Sequence, residues 1–142
     1  MTPAYQLAYR LGAAARRPAS WIQLVKFGLV GGSGYLINLA VFALLSENFD
    51  LHHVAAAVGA FCVAVTNNFV LNRHWTFAAR DGHAGFQAVR FFTISIAGLV
   101  INLIVLEALV TGADLGGLAA QAIAVAIAMP FNFLGNKLWT FA

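Results

Sequence analysis

At 142 residues, with 61% hydrophobic and only 9% charged, the chain has too little polar surface to cover a compact body in water. Its formal net charge of +3 comes from Lys and Arg at the ends of apolar runs, where they anchor helices and do not form a nucleic-acid-binding face. The single Cys62 excludes an intramolecular disulfide.

Four stretches lack charge over membrane-spanning length: 27–46, 54–72, 91–106 with only Glu107 before residue 112, and 115–136. At about 1.5 Å rise per residue, roughly 20 residues cross the hydrocarbon. Their apolar residues run on without alternating, and backbone groups in lipid must be satisfied internally, so helices are predicted and barrel strands are not. The expected fold is all-α and integral to the membrane, with four transmembrane helices over about 26–46, 54–73, 90–112 and 116–137.

An internal repeat governs this arrangement. At a gap-free offset of 64 residues, 20 of 53 positions are identical between repeat one, 26–78, and repeat two, 90–142. Asn38 falls on Asn102, Asn68 on Asn132, Asn72 on Asn136, Asp50 on Asp114, and both repeats end in Trp-Thr-Phe. All eight cations lie before the first helix, in the middle connection or after the fourth helix, while the first and third connections hold only Glu47, Asp50 and Asp114 as charges. The positive-inside bias then places both termini and the middle loop in the cytoplasm, so the two hairpins are parallel repeats.

Residues 1–23 form an arm ahead of a single membrane domain, 24–142. The arm lacks a signal-peptide core and reads either as a short interfacial helix or as a flexible positive anchor. Helix one carries Gly28, Gly31, Gly32 and Gly34; its Gly-x-x-x-Gly pair at 28 and 32 is expected to pack within the molecule, in preference to the alternative of a dimer contact. His52 and His53 beside Asp50 read as solvated loop residues, without the ligand spacing of a metal site. The middle loop, 78–89, is expected to be a linker, and Pro130 is expected to kink the fourth helix.

Amides inside hydrocarbon are costly, so each asparagine must face protein or a watery space. Asn68 and Asn72 are one turn apart and share a face, which Trp75 extends toward the surface; Asn132, Asn136 and Trp139 repeat the pattern. Trp and Phe near Arg or Lys are assigned to headgroup anchoring. With Lys26, Arg73, Arg90 and Lys137 nearby, an asparagine pocket suits a phosphate oxyanion. Asn38 and Asn102 serve either as packing glue or as a polar path. Glu107, whose counterpart is Ala43, either meets a hydroxyl or a proton or simply reaches water.

A basic residue and Phe open each hairpin, and Asn-Phe-x-x-Asn-Arg/Lys-x-Trp-Thr-Phe closes it. This double motif resembles the GtrA-like family of small membrane proteins of cell-surface polysaccharide synthesis. The resemblance implies the flipping of a polyprenyl-phosphate-linked monosaccharide across the cytoplasmic membrane of a bacterium or archaeon, for use by a glycosyltransferase outside. Under it, Lys26, Arg73, Arg90 and Lys137 draw the phosphate, Asn68, Asn72, Asn132 and Asn136 replace its water, and Asn38, Asn102 and Glu107 continue the track. Gly135 in place of Leu71, and Leu138 in place of His74, leave neither position a fixed reader of substrate.

No cofactor, metal or covalent chemistry is expected, since paired carboxylates and catalytic dyads are missing from the pattern. The competing role is a non-catalytic membrane subunit that localises or stabilises a glycosyltransferase. A multidrug exporter of similar size would want an acid deep in the first helix, and none is there. A narrow four-helix bundle makes a homo-oligomer, most simply a dimer, the expected assembly among membrane lipids.

Overall fold

A computed structural model describes residues 2–49 and 51–142, with all their side chains except those of Ser46, His53, Val54, Ala57, Gly117 and Leu118. Asp50, with its place in the repeat and beside the histidines, and the side chain of His53 lie outside the described residues. Every regular element among the described residues is helical: α1 Pro3–Ala15, α2 Pro18–Ala43, α3 His53–Leu71, α4 Ala84–Glu107 and α5 Gly117–Gly135. Pro18–Ala43, Ala84–Gly112 and Ala119–Thr140 are long and apolar enough to cross a membrane. The chain is therefore a membrane protein with at least these three apolar helices.

Helices begin earlier than their uncharged cores. The arm is helical, and Pro3 and Pro18 each stand in a first turn, where a missing N–H costs no hydrogen bond. Arg17, extended at φ −93° and ψ 122°, separates α1 from α2, and Trp21 Nε1 donates to the Ala15 carbonyl at 2.9 Å across the break. α2 thus starts at Pro18 and not near residue 26. α4 starts at Ala84 and not at 90, with His83 Nδ1 accepting from the Phe86 N–H at 3.4 Å. The middle loop is correspondingly shorter than the 78–89 expected. Pro130 lies inside α5, which continues as α-helix to Gly135.

All four long helices widen into a π turn at their carboxyl ends: Leu44–Asn48, Asn72–Thr76, Ala108–Gly112 and Asn136–Thr140. The Phe77 N–H bonds the Asn72 carbonyl and the Phe141 N–H the Asn136 carbonyl, both at 2.9 Å and five residues apart. Such turns release the chain from the α-helical ladder without orphaning its last carbonyls. Just beyond one of them Ala78 takes φ 48°, and beyond another Asp114 takes φ 53°, left-handed conformations at which the backbone reverses.

α2 packs along α3, and α4 along α5, with lighter contacts joining the two hairpins. Ala56, Ala60 and Ala64, spaced one turn apart on α3, are buried, as are Ala120, Ala124 and Ala128 on α5. Small side chains let membrane helices approach closely, and these alanine stripes supply that contact. The glycine pair assigned to this task behaves otherwise. A Cβ on Gly28 would meet Met129 Cε at 2.9 Å, but one on Gly32 or Gly31 would meet nothing within 4 Å. Gly32 is open because it faces a groove, not a helix.

Candidate functional site

The asparagines on α3 and α5 converge because glycines on the neighbouring helices admit them. A Cβ added to Gly34 would overlap the Asn68 amide, and one added to Gly98 would overlap that of Asn132. Hydrogen in place of a methyl group lets each amide lie flat along the partner helix. Between them lies a cavity of about 210 Å³, lined by Asn68, Asn72, Asn132 and Asn136 together with Phe27, Phe91, Gly31, Val65 and Ser95.

Its polar atoms are under-used. Asn72 and Asn136 are 2% and 1% exposed, and Thr76 and Thr140 are 3% and 1% exposed. Asn136 Nδ2 donates to the Asn132 carbonyl at 2.8 Å, which turns its Oδ1 away from that bond. That Oδ1 has no partner among the described residues, nor do the Oδ1 atoms of Asn68 and Asn72 or the hydroxyls of Thr76 and Thr140. Each buried polar atom left unpaired costs about 1–3 kcal/mol. Three of these oxygens, on Asn68, Asn72 and Asn136, belong to residues that line the cavity, which suits it to a polar guest; Thr76 and Thr140 lie outside its lining.

Thr76 and Thr140 were not among the residues singled out from sequence, where Trp75 and Trp139 were expected to continue the asparagine face. The π turn explains the difference. Its i to i+5 bonding widens the helix, so that Asn72 and Thr76 share the buried face while Trp75 turns out, 46% exposed. Spacing by four from Asn68 through Asn72 to Thr76 was the available signal.

The phenylalanines do more than anchor. Phe77 and Phe141 stack with centroids 5.0 Å apart, one turn beyond Asn72 and Asn136. Phe27 meets Phe133 at 5.8 Å, Phe69 meets Phe91 at 5.8 Å, and both pairs touch the central stack, Phe133 against Phe77 and Phe91 against Phe141. Six rings thus form an apolar cluster toward the basic end of the bundle, with Phe27 and Phe91 also lining the amide cavity. Phe91 and Phe133 are buried and belong to the core, while the other four rings are half-buried.

The four candidate cations stand at that end, and none lines the cavity. Lys26 Nζ lies 5.2 Å from the Trp75 ring centre, and Arg90 sits 5.6 Å over Trp139 while donating to its carbonyl at 3.1 Å. Lys137 Nζ donates to Ser20 Oγ at 2.9 Å and to Gln23 Oε1. Arg73 Nε donates to Gln87 Oε1 at 2.7 Å, and its Nη2 donates to the carbonyls of Arg80 and Gly82 at 2.9 and 3.1 Å. Gln87 Nε2 completes this clasp on the Ala79 carbonyl at 3.0 Å. Arg73 and Lys137 are therefore committed to glutamines at the starts of α4 and α2, tying one hairpin to the other.

This geometry carries a prediction for the middle connection. Arg73→Lys loses the fork that serves three acceptors and is expected to speed tryptic cleavage after Arg80 about tenfold, the effect of roughly 1.4 kcal/mol in local opening. Cleavage at the parental rate would show that the connection is held by something else.

Of the remaining candidates, Asn102 is buried and lines a second, larger groove beside the cavity, Asn38 is half-buried on α2, and Glu107 is exposed where α4 gives way to its π turn. The structure thus gathers the two asparagine pairs with Asn102 and leaves Glu107 apart from them.

A family model described as "GtrA/DPMS, transmembrane domain" matches residues 26–141. The chain belongs to this family. The matched GtrA/DPMS region holds both asparagine pairs, both glycine seats and all six clustered phenylalanines, and leaves α1 outside. Among similar proteins, the uncharacterized membrane protein YngA of Bacillus subtilis is 31% identical over 118 residues, 83% of this chain and 78% of that one. A dolichol-phosphate mannosyltransferase of Pyrococcus furiosus is 34% identical over 84 residues, 58% of this chain but only 24% of that enzyme.

Proposed function

We propose that the protein moves a polyprenyl-phosphate-linked monosaccharide from the cytoplasmic to the outer leaflet of a bacterial or archaeal cytoplasmic membrane. In this reading α2 to α5 all span the bilayer as two parallel hairpin repeats, and both termini and the basic end face the cytoplasm. The observation that carries it is the set of unpaired buried amide oxygens of Asn68, Asn72 and Asn136 on the lining of a cavity in an otherwise apolar bundle. A sugar's hydroxyls donate to such oxygens, while a phosphate takes the amide N–H groups and the cations nearby. Family membership supports the lipid class, as does the dolichol-phosphate in the name of the Pyrococcus furiosus relative. No bond is made or broken on the way.

The test is a vesicle assay with a fluorophore-tagged polyprenyl-phosphoryl hexose and a membrane-impermeant reductant. Flipping lets the reductant bleach the whole pool, whereas reduction that stops where it does in protein-free vesicles contradicts the proposal.

A second reading follows from the same relative, of which the matched segment is a minor part of a transferase. Here the chain is a membrane subunit that holds a separate glycosyltransferase. That role needs no occupied amide cavity, so it predicts that cavity substitutions leave cellular glycosylation intact.

A further inference from the structure

The two hairpins repeat, but the sides of the bundle between them differ. On one side a groove of about 700 Å³ runs along the glycine face of α2 against α4 and α5, past Gly32, Val125, Met129 and Asn102. It shares Phe27, Gly31, Ser95 and Asn132 with the lining of the amide cavity, so the two spaces adjoin. On the other side the residue 64 positions after Gly28 is Phe92, and that 64 before Val125 is Phe61. These two rings meet edge to face at 6.1 Å. The hollow left there, about 420 Å³ against Phe92, shares only Val65 and Phe91 with the cavity lining and has no asparagine in its own.

From this asymmetry we infer that the amide cavity has a single lateral portal, the groove over Gly28, Gly31 and Gly32, and that it holds the isoprenoid chain of one lipid whose headgroup enters the cavity. The inference rests on the lipid-carrier reading above and adds to it the route and the stoichiometry. Asn102 points to a polar guest at the groove as well. It is 8% exposed, lines the groove and makes no side-chain hydrogen bond to the described residues. A lone phosphate or soluble sugar would be served by the cavity alone. The apolar walls match a chain, and the glycine floor leaves width for the methyl branch that each isoprene unit carries. Phe61 and Phe92 close the equivalent route, so one chain binds at a time.

The experiment uses the full chain in phosphatidylethanolamine and phosphatidylglycerol vesicles. Two probes are compared: a diazirine-tagged polyprenyl phosphate and a diazirine-tagged phosphatidylethanolamine. The expected result is polyprenyl label near Val125 and Met129 at least about tenfold above that near Phe61 and Phe92. Gly32→Phe, at a position where an added Cβ meets nothing, is expected to remove that label about tenfold without loss of thermal stability. Independently, Phe92→Gly with Phe61→Val is expected to open the second side and bring label to α3.

Equal polyprenyl labelling on both sides of the parental protein would overturn the single portal while leaving the carrier reading standing. Labelling confined to the portal, but no stronger for the polyprenyl probe than for the phospholipid, would overturn the isoprenoid occupant and the carrier reading together. Portal label that survives Gly32→Phe, or no label on α3 after the second side is opened, would contradict the route.

Discussion

Replacing Asn68 and Asn132 together by leucine is expected to abolish retention of the isoprenoid-linked sugar while leaving the chain folded and inserted. Leucine branches at Cγ as asparagine does, so the seats on Gly34 and Gly98 still fit the new side chains. What is lost is hydrogen-bonding capacity toward the lipid headgroup. A bond to a charged group contributes about 1.5–3 kcal/mol, so two such losses weaken binding by roughly 100-fold to 10,000-fold. Stability moves the other way: Asn68 Oδ1 is buried without a partner, and exchanging such an atom for apolar volume is neutral or favourable. A lipid-free sample melting at or above the parental temperature, with lipid binding gone, is the expected pair of results. Unchanged binding would remove the asparagines from the site.

The second large effect is expected at the glycine seats. In Gly34→Ala and Gly98→Ala the new methyl group overlaps the amide of Asn68 or Asn132. Overpacking of this kind typically costs about 1–3 kcal/mol per site. An asparagine side chain is short and its amide swings away more cheaply than a backbone moves, so the helices stay paired and the amides leave the cavity. Headgroup binding should therefore fall by the margin expected for the leucine pair. Adding Asn68→Ala to Gly34→Ala should restore thermal stability without restoring binding, a coupling of about 0.5–3 kcal/mol between touching residues. Gly31→Ala is the control, since its Cβ meets nothing within 4 Å, and a loss of stability there equal to that at Gly34 would contradict the assignment.

These two predictions divide along the line between what sequence discloses and what it hides. An amide within an uncharged, membrane-length stretch is a thermodynamic anomaly, so Asn68, Asn72, Asn132 and Asn136 stand out in the sequence alone. Their seats do not, because a glycine contact depends on which helix lies alongside. Thr76 and Thr140 were hidden by the π turn, which rotates the chain so that spacing by four, not seven, keeps the buried face. The phenylalanines were ambiguous in kind, since the same ring beside Arg or Lys serves at a headgroup or in a core. Arg73 and Lys137 carried the right charge for an anion, but their geometry depends on Gln87 and Gln23, polar residues ahead of the apolar stretches. Those early polar turns are also why α2 and α4 begin well before their uncharged segments. The difference between Gly28 and Phe92 was visible at the repeat offset, yet its meaning required knowing that Phe61 stands across from Phe92.

In the carrier reading, function is distributed simply. Cations on tryptophan faces mark the basic end, a phenylalanine cluster lies against the amide cavity, and the amide oxygens of Asn68, Asn72 and Asn136 are left for a guest. A homo-dimer remains our proposal for the assembly.

Native mass spectrometry of the protein, extracted gently from its own membranes, tests the central claim most directly. The account predicts one polyisoprenyl-phosphate-linked sugar per chain, its mass identifying the sugar, and its loss when Asn68 and Asn132 are both leucine. The same complement of bulk phospholipid on both proteins, with no isoprenoid on either, would contradict it.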